Sequence, residues 1–210
     1  MKKLAIIGSG DLGQLIAYHA RNDKQFEVVG FFDDFTVLNS FVGTIKVIGR
    51  ISDIEIKYKE KVFDVIICGI GYKHMAFREK LYVELHNKIE FANLIHSSCY
   101  VDVSCDIGKG VFMLPGTFLD YNVTIEDNVV VNLSCAIAHD SKIGAHTFLS
   151  PRVVIAGFVS VGKRCNIGVN TTVIDNIKVT NDVQTGGGTV VIKNIDKNGL
   201  YVGNPSRFIR

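Results

Sequence analysis

Apolar residues recur at every sixth position of this chain from Ile95 to Val191. All of these positions except Thr185 carry an aliphatic side chain, and a glycine often follows, as in Ile107-Gly108. A second column, four residues further on, holds only small or β-branched side chains. Each hexapeptide predicts one short strand and one turn. Seventeen of them, at three to a coil, predict a parallel β-helix of between five and six coils with both columns inside.

The repeat also accounts for the cysteines. Four of the five, Cys99, Cys105, Cys135 and Cys165, fall in the column of small residues, and Cys68 lies in the apolar stretch DVIICGI. No two of them are spaced as CxxC, so we expect neither a zinc site nor a disulfide framework. Buried, reduced thiols agree with a reducing compartment, and we expect a cytoplasmic protein.

The first 94 residues lack the repeat and alternate apolar runs with helical stretches. This alternation predicts a small parallel sheet covered by helices, a Rossmann-like α/β domain. The chain is therefore expected to consist of this domain over 1–94, the β-helix over 95–196 and a C-terminal extension over 197–210. In the first domain we predict strands over 3–7, 26–32, 63–70 and 89–95 and helices over 12–22 and 73–87.

The turn after the first predicted strand reads GSGDLG, with glycines at Gly8, Gly10 and Gly13. Glycines between a strand and a helix let backbone N–H groups approach a phosphate, and the helix N-terminus adds a favourable field. Asp33 and Asp34 end the next strand, where a carboxylate can accept hydrogen bonds from a ribose or a base. We expect a nucleotide site here rather than an NAD site, because a second mononucleotide unit is missing.

The net charge and the hydropathy of the chain argue against several classes of function. The formal net charge is +2 with mixed signs and no basic run, so nothing favours a nucleic acid partner. The longest apolar stretches are too short to span a membrane, and the start of the chain, MKKLAIIGSG, does not have the apolar core of a signal peptide.

One histidine of the β-helix is placed for chemistry. His139 lies two residues past the inward-facing Ile137, so its side chain is expected outside the core, with Asp140 next to it. An imidazole can take a proton from an attacking amine or hydroxyl, and a neighbouring carboxylate can fix its tautomer and support the imidazolium. The alternative interpretation is a solvated His-Asp pair at a corner.

Taken together, these motifs resemble bacterial acyl-CoA-dependent sugar acetyltransferases of the left-handed β-helix superfamily. The resemblance is closest to the sialic acid O-acetyltransferase family, which includes N-acetyltransferases of nucleotide-linked 4-amino-4,6-dideoxy sugars. It covers nearly the whole chain and rests on these stretches: GSGDLG, GFFDDF, CGIG, LIHSS, NLSCAIAHDSKIG, AGFVSVG, IGVNTTV, GGGTVVIKNI and YVGNPSR.

The resemblance implies a role for each matching residue. It makes His139 the catalytic base and Asp140 its acidic companion, and it places Asn132 in the same site. Gly157 would offer its N–H to the acyl-CoA thioester as an oxyanion donor. Substrate would be held in the first domain by Gly8, Gly10, Asp11, Gly13, Asp33, Asp34 and Gly71. Coenzyme A would be held by Gly157, Gly168, Gly186, Gly187, Lys193 and Arg207.

Two positions depart from the family pattern. Relatives often carry a second histidine where this chain has Phe148, and His146 is displaced from that position by two residues. The glycine-rich turn usually contains Gly-His before its final glycine, whereas this chain has Asp11-Leu12-Gly13. A role for a second histidine and the details of nucleotide contact are therefore open.

The resemblance implies a homotrimer with the active site between subunits, acetyl-CoA as cosubstrate and no metal. The implied reaction is N-acetylation of the 4-amino group of a dTDP- or UDP-linked 4-amino-4,6-dideoxy sugar, for a surface glycan such as lipopolysaccharide O-antigen. O-acetylation of sialic acid or another sugar is the alternative within the class. Two further alternatives are a γ-type carbonic anhydrase, which needs three zinc-binding histidines, and a non-catalytic protein that binds sugar nucleotides.

Overall fold

The computed structural model describes residues 1–210, which divide into two compact units, Met1–Leu94 and Ile95–Arg210. The first unit begins with a strand, a helix and a second strand, as the sequence predicts. Two short strands, a short helix, a further strand and a final helix follow. The bounds are β1 (Lys2–Ile7), α1 (Asp11–Asn22), β2 (Phe26–Phe32), β3 (Phe41–Val42), β4 (Ile45–Gly49), α2 (Ile54–Lys59), β5 (Val65–Cys68) and α3 (Met75–Leu85).

The first unit is built on a five-stranded sheet of order β3-β4-β2-β1-β5. Four of the strands are parallel, and only the edge strand β3 is antiparallel. The last four residues of β1 and all of β5 are apolar and buried, as expected for the central strands of a parallel sheet covered on both faces. The carboxyl ends of β1, β2 and β5 therefore meet at one edge of the sheet, where Gly8, Asp33 and Gly69 follow them.

Part of this unit differs from the sequence-based expectation. The β3–β4 pair and α2 were not predicted, because the stretch between Asp34 and Lys59 lacks a long apolar run. The strand predicted over 89–95 is reduced to a single bridge between Phe91 and Ile66, followed by a short strand at Leu94–Ile95. An apolar run is compatible with either outcome, because burial alone does not require continuous pairing.

The second unit is a three-sided parallel β-helix. Seventeen short strands follow one another with the six-residue period. They are β6 (Leu94–Ile95), β7 (Tyr100–Val101), β8 (Asp106–Ile107), β9 (Phe112–Met113), β10 (Phe118–Leu119), β11 (Thr124–Ile125), β12 (Val130–Val131), β13 (Ala136–Ile137), β14 (Lys142–Ile143), β15 (Phe148–Leu149), β16 (Val154–Ile155), β17 (Ser160–Val161), β18 (Asn166–Ile167), β19 (Thr172–Val173), β20 (Lys178–Val179), β21 (Val183–Thr185) and β22 (Val190–Val191).

Every third strand belongs to the same face, so each residue pairs with the residue 18 positions away in the next coil. On one face, for example, Leu119, Ile137 and Ile155 lie in register on successive coils. The three faces are the sheets β22-β19-β16-β13-β10-β7, β20-β17-β14-β11-β8 and one that runs from β21 through β18, β15, β12 and β9 to β6. The aliphatic and small-residue columns form one continuous core inside them.

All five cysteines are free thiols. Cys68, Cys135 and Cys165 are buried, and burial raises the pKa of the last two to about 11. Cys99 and Cys105 are only half-buried, because they belong to the first coil, where the stack begins. The predicted core role therefore holds fully for three of the thiols and partly for these two.

The corners of the prism are left-handed in backbone conformation. From Asn122 to Asp182, every sixth residue has a φ between 54° and 63° although none of them is glycine. The glycines that follow the aliphatic residues, such as Gly144, do not have a positive φ. A Cβ on Gly144 would lie 2.6 Å from the carbonyl carbon of Gly162 in the next coil, so these glycines are required by close approach between coils and not by backbone conformation.

The segment predicted as a C-terminal extension continues the β-helix. β23 (Gly199–Val202) pairs parallel with β21, and β24 (Arg207–Phe208) folds back on it antiparallel. Tyr201 packs against the core, so the segment closes the last coil. No helix in the chain is both long and apolar enough to cross a membrane.

Candidate active site

His139 and Asp140 lie at the corner that follows β13. Asp140 occupies the left-handed corner position with φ 57°, and its Oδ2 lies 3.0 Å from Nδ1 of His139. The imidazole side chain is 47% exposed. Because an ionised carboxylate only accepts hydrogen bonds, this contact assigns the Nδ1 proton to His139 and leaves the Nε2 lone pair available for a proton from a substrate.

The second carboxylate oxygen of Asp140 has its own donor. Asn122 occupies the same corner one coil earlier, and its Nδ2 donates to Asp140 Oδ1 at 2.7 Å. The hydrogen bonds from Asn122 and His139 hold the pKa of Asp140 below its usual value of 3.8. Asn122 was not among the predicted site residues, although its separation of 18 residues from Asp140 was the available signal.

Gly157 and Phe158 occupy the same corner in the next coil. A Cβ on Gly157 would lie 2.8 Å from Cε1 and 2.9 Å from Nε2 of His139, so only glycine leaves room for the imidazole. No other group of the chain accepts a hydrogen bond from the Gly157 N–H, whereas its carbonyl accepts one from the Asn176 N–H. The Phe158 ring meets the imidazole edge to face at 5.2 Å between centroids. The corner therefore presents a base, its carboxylate and an available N–H together.

Asn132, the other side chain implied for this site, lies at a different corner from His139 and Asp140. Asn132 lies at the corner before β13, where its side chain accepts a hydrogen bond from the Leu133 N–H at 2.8 Å. His146 is buried at another corner, with Nδ1 3.1 Å from the Asn128 amide, so it faces away from His139 as its displacement in sequence suggested. No group of three or more His, Cys, Asp or Glu side chains in the chain is arranged to hold a metal ion.

In the first unit, the glycines of the GSGDLG turn have two different roles. Gly8 has φ 92°, and a Cβ on Gly13 would lie 2.0 Å from the Gly8 carbonyl oxygen, so both are required by the tight turn from β1 into α1. Gly10, which caps α1, and Gly71 have no atom within 4 Å of the Cβ position. Their backbones are thus open to a ligand, as a phosphate site requires. Asp11 is exposed in the first turn of α1.

Asp33 ties the glycine-rich turn to the segment after β2. Its Oδ2 accepts from the N–H and the hydroxyl of Ser9 at 2.7 and 2.8 Å, and its Oδ1 accepts from the N–H groups of Phe35 and Thr36 at 2.8 and 2.9 Å. Burial alone would raise the pKa of Asp33, but the hydrogen bonds from Ser9, Thr36 and Phe35 outweigh it and lower the pKa below 3.8.

Asp34 is more available to a ligand than Asp33. It is exposed, and its Oδ1 accepts one hydrogen bond, from the Ile51 N–H at 2.9 Å. The four donors on Asp33 match the roughly four lone-pair sites of a carboxylate. Of the two acids, Asp34 therefore retains an oxygen with room for a ribose or base.

The residues implied for coenzyme A lie in two places on the β-helix. Gly168 and Gly186 stack at one corner, and both of their N–H groups are already used, by Thr185 Oγ1 and the Tyr201 carbonyl at 2.8 Å each. Gly187 is exposed, and a Cβ there would lie 3.6 Å from the Val169 carbonyl oxygen, an ordinary contact distance. Lys193 has the same corner position as His139 and Gly157, three coils beyond His139. Arg207 is exposed on β24. At about 4.8 Å per coil, Lys193 is roughly 14 Å from His139 along the column.

Comparison with known proteins supports the class of hexapeptide-repeat sugar acyltransferases. Residues 3–85 match the family model of the PglD N-terminal domain. Over 79 residues the chain is 38% identical to UDP-3-O-acylglucosamine N-acyltransferase of Bordetella pertussis. That alignment covers 38% of this chain and 22% of the relative, so the match spans about a fifth of the curated protein.

Two solved structures match over the whole chain. The acetyltransferase domain of PglB from Neisseria gonorrhoeae superposes with a TM-score of 0.91 at 25% identity, covering 100% of both chains. A variant of GDP-perosamine N-acetyltransferase from Caulobacter crescentus, in complex with CoA and GDP-perosamine, gives a TM-score of 0.93 at 25% identity and covers 100% of this chain and 98% of that one.

These matches confirm the fold class predicted from the sequence, a small α/β domain followed by a left-handed parallel β-helix. They also confirm the predicted resemblance to hexapeptide-repeat sugar N-acetyltransferases, the acyl-CoA-dependent class of enzyme. The Caulobacter structure contains CoA as a bound ligand, which agrees with the predicted acyl-CoA cosubstrate.

Proposed function

We propose that this protein transfers an acetyl group from acetyl-CoA to the 4-amino group of a nucleotide-linked 4-amino-4,6-dideoxy sugar, with His139 as the general base. The observation that carries the proposal is the corner at which His139 is paired with Asp140 and lies against Gly157. A solvated surface pair would not require a glycine behind the imidazole. The product would serve the synthesis of a surface glycan such as O-antigen.

The geometry supports direct transfer without a covalent enzyme intermediate. Nε2 of His139 takes a proton as the neutral amine of the sugar attacks the thioester carbonyl, and a C–N bond forms. The Gly157 N–H donates to the oxyanion of the tetrahedral intermediate. The C–S bond then breaks, and the proton held by His139 passes to the departing thiolate. Asp140 supports the imidazolium between the two proton transfers.

The first unit supplies the site for the nucleotide in this proposal. The open backbones of Gly10 and Gly71 suit a diphosphate, and the exposed carboxylate of Asp34 suits a ribose or base. Asp33 acts by holding the turn, so its contribution to binding is indirect. The structural relative from Caulobacter is named for a GDP-linked sugar, so guanine belongs with thymine and uracil among the bases to be tested.

A homotrimer is part of the proposal, and the outer surface of one sheet supports it. Along the sheet that carries β13, the outward-facing strand position is mostly apolar, with Phe118 57% and Val154 43% exposed, and Thr172 of β19 is the exception. The same position on the sheet of β8, β11, β14, β17 and β20 is polar, as at Lys142 and Lys178. An apolar face on one side of the prism suits contact with another copy of the chain, beside the corner of His139.

An acceptor panel tests the proposal. The purified protein is incubated with acetyl-CoA and, separately, with dTDP-, UDP- and GDP-linked 4-amino-4,6-dideoxy sugars and with free sialic acid, and release of the CoA thiol is followed. We expect turnover with at least one nucleotide-linked amine and none with sialic acid. Turnover with sialic acid alone would establish O-acetylation. Binding of a nucleotide sugar without binding of acetyl-CoA would establish a non-catalytic role.

A further inference from the structure

We propose that Asn122 is a positioning residue for the base, fixing the tautomer and direction of His139 through Asp140. This inference rests on the proposed function for its kinetic consequence but not for its structural one. The side-chain amide of Asn122 donates to Asp140 Oδ1 at 2.7 Å, and Asp140 Oδ2 meets His139 Nδ1 at 3.0 Å. Asn122 and His139 thus each hold one oxygen of the Asp140 carboxylate.

Asn122 is itself fixed from the coil before it. Its backbone N–H donates to Ser104 Oγ at 2.7 Å, and that hydroxyl donates to Asp102 Oδ1 at 2.6 Å. Ser104, Asn122 and Asp140 occupy the same corner position of three successive coils. The hydrogen bonds therefore run along the corner from the first coil to the base, and the two links between coils are set by the 18-residue repeat.

The hydrogen bond between Asn122 and Asp140 matters because the corner at Asp140 is open to water. The side chain of Asp140 is 27% exposed and would exchange its partners with solvent if only His139 held it. Asn122 is a neutral donor, so its contact does not change with pH in the range where the imidazole titrates. Its removal would let the carboxylate rotate and would release the preference for a proton on Nδ1.

The direct test is the tautomer of His139 in the protein without substrate, read from its ¹⁵N NMR shifts and assigned by difference from His139→Ala. Asn122→Gly removes the amide while accepting the left-handed backbone, since Asn122 has φ 57°. Asn122→Asp keeps the size but replaces the donor with a like charge. We expect a dominant Nδ1–H tautomer in the parent and a mixed population in both variants. An unchanged tautomer in both would overturn the proposal.

A kinetic test separates positioning from a general structural role. Asn122→Gly is expected to lower kcat by about 10-fold to 100-fold while both KM values stay within about twofold, as for a displaced catalytic group. In the His139→Ala background it is expected to cause no further loss. The matched control is Asn176→Gly, which has φ 60° at the same corner and bonds Asp175 instead. An equal loss in the His139→Ala background would contradict a role through His139.

The two tests fail independently. If Asn122→Gly changes the tautomer but the parent protein transfers no acetyl group, the positioning role stands and the proposed function fails. If the parent is active and the tautomer is unaffected, the function stands and the positioning role fails.

Discussion

The close approach of Gly157 to the His139 imidazole gives a specific prediction for Gly157→Ala. The new methyl carbon would lie 2.8 Å from Cε1 of His139, whereas carbon atoms prefer a separation of about 3.5 to 4.0 Å. The imidazole must therefore retreat by about 0.7 Å or more, in competition with its 3.0 Å hydrogen bond to Asp140. Because a misplacement of about 1 Å can cost about 100-fold in rate, we expect kcat to fall by roughly 10-fold to 100-fold.

Acetyl transfer is measured by thiol release at saturating substrates, together with the melting temperature. Gly157 has no positive φ, so alanine adds no backbone strain, and we expect a folded protein. The control is Gly162→Ala, in which the Cβ would lie 2.5 Å from Asn181 Oδ1 at a different corner. This control should lower stability and keep kcat. A Gly157→Ala enzyme with the parent kcat would show that the contact with His139 has no part in catalysis.

Three further predictions concern other parts of the chain. Asp33→Asn should lower the free energy of unfolding at neutral pH by about 1 to 3 kcal/mol, because the asparagine amide cannot replace both carboxylate oxygens as acceptors. The folded-state pKa of Asp33 lies below 3.8, so the difference in melting temperature between the parent and the variant should persist at pH 5 and shrink as the pH falls below 3.8. Phe118→Lys should dissociate the proposed trimer in sedimentation velocity. Thr124→Lys, at the same strand position on the sheet of β8, β11, β14, β17 and β20, should leave the trimer intact. Dissociation by both variants would contradict an interface at the sheet of β10 and β13. Lys193→Ala should raise the KM for acetyl-CoA several-fold with little change in kcat, and an unchanged KM would remove Lys193 from the coenzyme A site.

The sequence was sufficient to predict the β-helix because its repeat has direct structural consequences. A period of six with one aliphatic residue per repeat requires each strand to meet the strand 18 residues away, as Leu119 and Ile137 do. The same register placed His139 outside the core. The first unit was harder to predict, because β3 and β4 are short and an edge pair has no periodic signature.

The contacts of the site depended on corner conformation, which the apolar pattern does not reveal. The left-handed backbone at Asp140 turns its carboxylate back toward His139, and the same backbone at Asn122 brings an amide to the other oxygen. The sequence shows a glycine after many of the aliphatic residues, and only the structure shows that these glycines allow close approach between coils. Likewise, Asp33 matched a nucleotide-binding position in sequence, and only the structure shows how many donors it already has.

The most direct test of the account is the rate of CoA thiol release by the parent protein and by His139→Asn, measured with acetyl-CoA and the nucleotide-linked 4-amino sugar that the panel identifies. General base catalysis contributes about 100-fold to 10,000-fold, so we predict that kcat falls by at least about 100-fold in the variant while the melting temperature is kept. Turnover by His139→Asn close to that of the parent protein would contradict the assignment of His139 as the base.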